Sequence, residues 1–309
     1  MSSTQVLNNS MRAAWLAHAH THPYAALGLA GASLAVLWLL AASIYGAFYG
    51  EGSAYLRFAM LGGAAGFAAT VLGALTSVTL KGLSVRTEDS MLGFAAGMML
   101  AASSFSLILP GVEAAKSMTG SGLLGALTVV VGLGLGVLLM LGLDQFTPHE
   151  HERLGPCGPG NERISRVWLF VLAITLHNLP EGMAIGVSFA KGDLGVGLPL
   201  TSAIAIQDIP EGLAVAMALR SIGLAPLRAA LIAAASGLME PLGAILGIGV
   251  SSGFAIAYPV GLGLAAGAMI FVVSHEVIPE THRNGHQTAA TLGLMGGFAV
   301  MMVLDTALG

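Results

Sequence analysis

Two short segments of this sequence combine residue types and spacings that can do chemistry. ITLHNLPEGMAIG spans residues 174–186, and a near copy, IQDIPEGLAVA, follows at residues 206–216. Aligned on Pro-Glu-Gly, His177 and Asn178 correspond to Gln207 and Asp208, and Glu181 corresponds to Glu211. At about 100° per residue, positions 177, 178 and 181 fall on one side of a helix, as do 207, 208 and 211. A further acid beside a proline, Glu240 before Pro241, adds a seventh donor. One imidazole, two amides and four carboxylates are a donor set for divalent cations. Imidazole with carboxylate suits Zn²⁺, and an oxygen-rich site also accepts Mn²⁺, Fe²⁺ or Cd²⁺. The set exceeds what one four-coordinate ion needs, so two neighbouring ions bridged by Glu181 or Glu211 fit it as well.

The elements that hold these groups are expected to be transmembrane helices. Of 309 residues, 55 % are hydrophobic and 9 % charged, with a mean hydropathy of +0.83, whereas a soluble domain carries about a quarter charged residues. Apolar runs of about 20–25 residues recur without the alternation of barrel strands, which predicts an all-α polytopic membrane protein. Spans are read at 25–49, 57–80, 90–112, 122–145, 166–190, 197–220, 228–250, 256–280 and 287–308. The first is longer than the 7–15 residues typical of a signal-peptide core and is expected to be retained. With a cytoplasmic N-terminus, basic residues such as Arg86, Arg220 and Arg283 lie inside, and only Arg57, Lys116 and Lys191 lie outside. That orientation makes the C-terminus periplasmic and the polar loop at 146–165 cytoplasmic. The single cysteine, Cys157, leaves neither a disulfide framework nor a cysteine-rich metal site. The net charge of −4 is thinly spread and gives no sign of a nucleic-acid partner.

A shift of 170 positions superposes GFAAGMMLAASSFSLILP, from Gly93, on GLAAGAMIFVVSHEVIPE, from Gly263. Ser104 then falls on Ser274 and Ser106 on Glu276. The two segments belong to the third and eighth spans, so they run in opposite directions, the signature of inverted-repeat, alternating-access transporters. Counted at 1.5 Å per residue, His177, Gln207 and Glu240 lie about 15–18 Å into their spans, near the midplane of a roughly 30 Å core. Each ionised group there costs about 2.5–3.5 kcal/mol, so the four acids together imply about 10 kcal/mol. Packing does not select such residues; a bound divalent cation relieves both their burial and their mutual repulsion. Pro180, Pro210 and Pro241 also free the carbonyls of Leu176, Ile206 and Gly237.

Secondary positions extend the path. Ser106 is placed toward the outside and Glu276 toward the cytoplasm, with Met99 deeper as a soft ligand or packing group. SHEVIPETHRNGH puts His275, Glu276, Glu280, His282 and His286 near the cytoplasmic end of the eighth span, with Asp89 and Asp144 at similar depth. Such a relay of weaker ligands lets an ion leave. His149 and His151 in the loop, and His18, His20 and His22 before the first span, are candidate metal sensors or buffers.

HNLPEG at 177–182 followed by QDIPEG at 207–212 resembles the paired metal-binding helices of the ZIP (Zrt-, Irt-like) divalent metal transporters. The resemblance runs from about residue 57 to the C-terminus and implies an eight-helix ZIP-type bundle with an inverted repeat. Residues 1–56 then form an extension with one extra transmembrane helix. The resemblance further implies import of Zn²⁺ and related ions across the bacterial inner membrane, through a binuclear centre in a homodimer whose helix groups shift. Carried over by position, His177, Glu181, Gln207 and Glu211 hold one ion, and Asn178, Asp208, Glu211 and Glu240 the second. Many relatives have histidine where this chain has Gln207, so a less zinc-restricted selectivity is expected. Two competing readings remain. An intramembrane metalloenzyme would use HEVIP at 275–279, where proline replaces the second histidine of H-E-x-x-H. A selective metal channel is the other, and the inverted repeat favours a carrier instead.

Overall fold

The computed structural model describes residues 16–17, 19–49, 53–80, 83–146, 149–151, 155–157, 166–221, 223–251 and 255–308. Each expected span coincides with a helix: α1 (Pro23–Tyr49), α2 (Ser53–Thr79), α3 (Val85–Thr119), α4 (Gly122–Phe146), α5 (Arg166–Ser188), α6 (Leu194–Ser221), α7 (Pro226–Ser251), α8 (Ala257–His282) and α9 (Gln287–Leu308). Among the described residues, seven of these, α2, α3, α4, α6, α7, α8 and α9, are long and apolar enough to cross a membrane. Their outer faces carry exposed large apolar side chains, such as Leu123, Leu127 and Val131 on α4 and Leu292, Met295 and Val303 on α9. Lipid is the solvent that suits such faces. The protein is an all-α, multi-pass membrane protein apart from one short hairpin. In that hairpin, within the polar loop at 146–165, β1 (His149–His151) pairs antiparallel with β2 (Gly155–Cys157).

Three spans depart from plain helices. In α3 and α8 the backbone widens into π turns at Ser103–Ile108 and Val273–Val277, where Leu109 N–H bonds to Ser104 O and Ile278 N–H to Val273 O. Pro110 and Pro279, just beyond, have no N–H to offer the preceding turn, which favours this rearrangement. The third is α7, which fills the span expected at 228–250 but is not one unbroken helix. Helix α7 is two half-helices, Pro226–Ser236 and Met239–Ser251, joined through Gly237 and Leu238. Pro241 cannot donate to Gly237 O, and tighter bonds replace the lost one, from Gly237 N–H to Ala234 O and from Glu240 N–H to Gly237 O.

Glycines set the helix pairs and reveal the symmetry of the bundle. A Cβ on Gly97 of α3 would strike Leu294 O of α9, and one on Gly267 of α8 would strike Leu133 O of α4. Gly293 and Gly297 of α9 lie against Ser90 O and Phe94 O of α3, as Gly132 and Gly136 of α4 lie against Val260 O and Leu264 O of α8. In the other helices, Gly73 of α2 abuts Ile209 O of α6, and Gly243 of α7 abuts Leu179 O of α5. Gly212 meets Thr70 O, and Gly182 meets Glu240 O. Exchanging α2 with α7, α3 with α8, α4 with α9 and α5 with α6 carries each of these contacts onto its partner. The weak repeat in the sequence is therefore a property of the packing, and the two π turns occupy equivalent places in it. Small residues permit such close backbone approach in lipid. Helix α1 has no image under the exchange; it packs on α4, where Gly142 meets Leu29.

Candidate metal centre

The exchange brings α5 and α6, its mutual images, together at the middle of the bundle. Proline runs inside both helices without breaking them. All seven donors are buried: His177, Asn178, Glu181, Gln207, Asp208, Glu211 and Glu240 are at most 6 % exposed. One carboxylate oxygen from each of Glu181, Asp208 and Glu211 lies within 4.8 Å of the others. Gln207 Nε2 donates to Glu181 Oε1 at 2.5 Å, tying the two motifs together. The carboxyl groups of Asp208 and Glu240 approach the same residue of α2, since a Cβ on Gly66 would meet Glu240 Oε2 and stand 3.1 Å from Asp208 Oδ2. The break in α7 places Glu240 in the first turn of its second half-helix, where backbone N–H groups favour a negative charge.

Several buried polar atoms here have no hydrogen-bond partner among the described residues: His177 Nδ1, Glu181 Oε2, Gln207 Oε1, Asp208 Oδ2 and Glu240 Oε2. Folded proteins satisfy nearly all such groups. Four of these five are oxygens, which as carboxylate or amide acceptors can bind a cation, and two of them, Asp208 Oδ2 and Glu240 Oε2, face the same point on α2. An arrangement of carboxylates around shared space, with amide and imidazole at its edge, is chemically a site for hard to borderline divalent cations.

The residues of SHEVIPETHRNGH meet several partners. Glu276, expected at the exit, reaches the centre itself: its Oε2 lies 2.9 Å from His177 Nε2. The π turn in α8 carries it there. His275 Nε2 lies 3.6 Å from Asp144 Oδ2. Asp89 is held by His286 Nδ1 at 2.8 Å and by Asn284 Nδ2 at 3.0 Å. Glu280 pairs with Arg283 at 3.3 Å, and His282 Nδ1 lies 2.8 Å from the Ile278 carbonyl. Met99 is packed in the apolar core. Ser106 donates to Asp305 Oδ1 of α9 at 2.6 Å. His149 and His151 stand on β1, paired through the backbone with Cys157 and Gly155. His22 contacts Thr21 at the surface, and His18 lies outside the described residues.

Sequence reasoning missed Thr70, Gly66 and Asp305. Thr70 Oγ1 donates to Glu240 Oε1 at 2.7 Å, and the two residues are 170 positions apart, the shift of the repeat. Extending the repeat from α3 and α8 back to α2 and α7 would have found it. Asp305 is likewise the image of Asp144 under the shift that carries α9 onto α4.

The sequence model described as ZIP Zinc transporter matches residues 144–305. Zinc transporter ZIPB of Bordetella bronchiseptica is 67 % identical over 309 residues, covering 100 % of both chains. The chain belongs to the ZIP zinc transporter family. Other ZIP relatives are more distant: zinc transporter GufA of Myxococcus xanthus is 43 % identical across 78 % of this chain and 95 % of its own. Human zinc transporter ZIP11 is 32 % identical across 72 % of this chain and 89 % of its own. The ZIP match contains all seven buried donors and both Asp144 and Asp305, whereas Gly66 and Thr70 on α2 lie before it. ZIP proteins are transporters, so the family agrees with the expectation of a chain that is not an enzyme.

Proposed function

We propose that this ZIP protein imports divalent transition-metal ions, Zn²⁺ foremost with Cd²⁺, Fe²⁺ and Mn²⁺ beside it, across the bacterial inner membrane into the cytoplasm. One observation carries the reading: Glu181, Asp208 and Glu211 bring carboxylate oxygens within 4.8 Å of one another, and acceptor atoms of Glu181, Gln207, Asp208 and Glu240 beside them are buried and unpartnered among the described residues. A cation is the group that satisfies all of them. His177, Glu181, Gln207 and Glu211 hold one ion; Asn178, Asp208, Glu211 and Glu240 hold the second, with Glu211 as bridge. Ser106 with Asp305 forms the outer approach, and Glu276, Asp144 and His275 form the inner one. Asp89 and His286 then receive the ion near the cytoplasm.

Symmetric packing supports a carrier over a channel, because two equivalent arrangements of one bundle are what alternating access requires. The relatives' names, all of them zinc transporters, favour zinc as substrate. Residues 1–56 are an extension with its own helix, residues 57–309 the transport unit, and two chains form the working dimer with cytoplasmic N-termini and periplasmic C-termini. Purified protein in liposomes is expected to accumulate Zn²⁺ and Cd²⁺, and Glu211→Ala to abolish uptake. Uptake by that variant at the wild-type rate removes the basis of the proposal.

A further inference from the structure

Beneath Asp208 and Glu240 the wall of the site is not made by a side chain. It is Gly66 of α2. A Cβ built on Gly66 would collide with Glu240 Oε2 and stand 3.1 Å from Asp208 Oδ2. Those two oxygens are the unpartnered ones of their carboxyl groups. One turn along α2, Thr70 Oγ1 holds the other oxygen of Glu240, Oε1, at 2.7 Å. The same hydroxyl lies 3.4 Å from Gly66 O, so the two α2 residues form one continuous surface.

We propose that Gly66 and Thr70 determine whether the centre holds a second ion: Thr70 fixes Glu240 so that Oε2 faces Asp208 Oδ2, and the missing side chain at Gly66 leaves the space between those oxygens. This rests on the transport reading above and adds to it a residue that admits cargo and a residue that positions a ligand. Glycines elsewhere on these helices serve close helix approach; Gly73, for example, meets the Ile209 carbonyl. Gly66 differs because a Cβ there would meet the carboxylates of Glu240 and Asp208. A methyl group there fills cargo space, not a helix contact. Thr70 is a positioning residue, since it acts on the ion through Glu240.

The test is equilibrium dialysis of the full-length purified protein against Cd²⁺ alone, with the metal-to-protein ratio measured by mass spectrometry and folding followed by gel filtration and thermal melting. Wild type is expected to take up two ions, and Gly66→Ala one, with the affinity of the remaining ion changed less than about threefold. Gly66→Ala combined with Glu240→Asp, which withdraws the carboxylate by one methylene, is expected to regain the second ion. Thr70→Val keeps the side-chain shape and removes the donor; it is expected to weaken only the second ion, by about tenfold, the scale of a lost hydrogen bond to a charged group. If Gly66→Ala does not fold, Thr70→Val decides. Two ions in Gly66→Ala, or an unaltered second affinity in Thr70→Val, overturns the inference while leaving the transport reading in place. Wild type that binds no Cd²⁺ overturns both.

Discussion

Replacing Glu211 by glutamine separates a metal centre from a structural polar cluster, because the two accounts predict thermal shifts of opposite sign. Three carboxylates, those of Glu181, Asp208 and Glu211, have oxygens within 4.8 Å of one another. At that distance and an effective dielectric constant of about 20, each ionised pair repels by about 3.5 kcal/mol. Glu211→Gln preserves shape and removes two of the three repulsions, about 7 kcal/mol for a fully ionised centre at that separation. Relaxation of the flexible side chains away from one another relieves much of that, so the expected gain is about 1–2 kcal/mol. That corresponds to a rise in Tm of roughly 2–3 °C for a chain of this length. Metal acts the other way. A ligand at one hundred times its Kd stabilises by about 2.7 kcal/mol, and the variant lacks the bridging carboxylate that makes the ligand bind. The assay is a thermal melt of detergent-purified protein in chelator and then in excess Cd²⁺. Glu211→Gln is expected to melt higher than wild type without metal and to gain less than half the wild-type shift with it. A lower metal-free Tm together with an unchanged Cd²⁺ shift refutes the reasoning, since it makes Glu211 an ordinary structural partner.

Two further outcomes follow from the packing. Gly97→Ala drives a methyl group into the Leu294 carbonyl, while Gly134→Ala meets nothing within 4 Å; the first is expected to destabilise by about 1–3 kcal/mol and the second to be neutral, as read by parallel melts. Arg220 Nη1 donates to the Ser77 carbonyl and, at 2.9 Å, to the Leu80 carbonyl, closing the C-terminal end of α2. Arg220→Ala is expected to cost about 1.5–3 kcal/mol and to speed amide exchange around residues 77–80, and unchanged exchange there contradicts the capping role.

The helices were legible in the sequence because the bilayer imposes length and apolarity on each one, and every expected span coincides with a helix. The donors were legible for the same reason: an acid at mid-membrane is costly enough to stand out. What remained hidden depends on backbone and on absence. Gly66 carries no side chain to signal chemistry, and its role exists only because Glu240 and Asp208 converge on it from two other helices. Thr70 looks like any back-bonded hydroxyl in a membrane helix until the repeat is extended to α2. Glu276 was read by its distance along α8, whereas the π turn at Val273–Val277 rotates that part of the helix and brings the carboxylate to His177. The break in α7 had a visible cause in Gly237 and Pro241, but proline inside α5 and α6 leaves those helices continuous. Proline alone therefore did not distinguish them.

The most direct measurement of the central claim is an anomalous difference map at the zinc edge from crystals grown with Zn²⁺. The account predicts a peak between the carboxylates of Glu181, Asp208 and Glu211, about 2.0–2.2 Å from their oxygens, and loss of that peak in Glu211→Ala. Well-ordered carboxylates with no anomalous peak among them, in protein that still transports Zn²⁺, would contradict it.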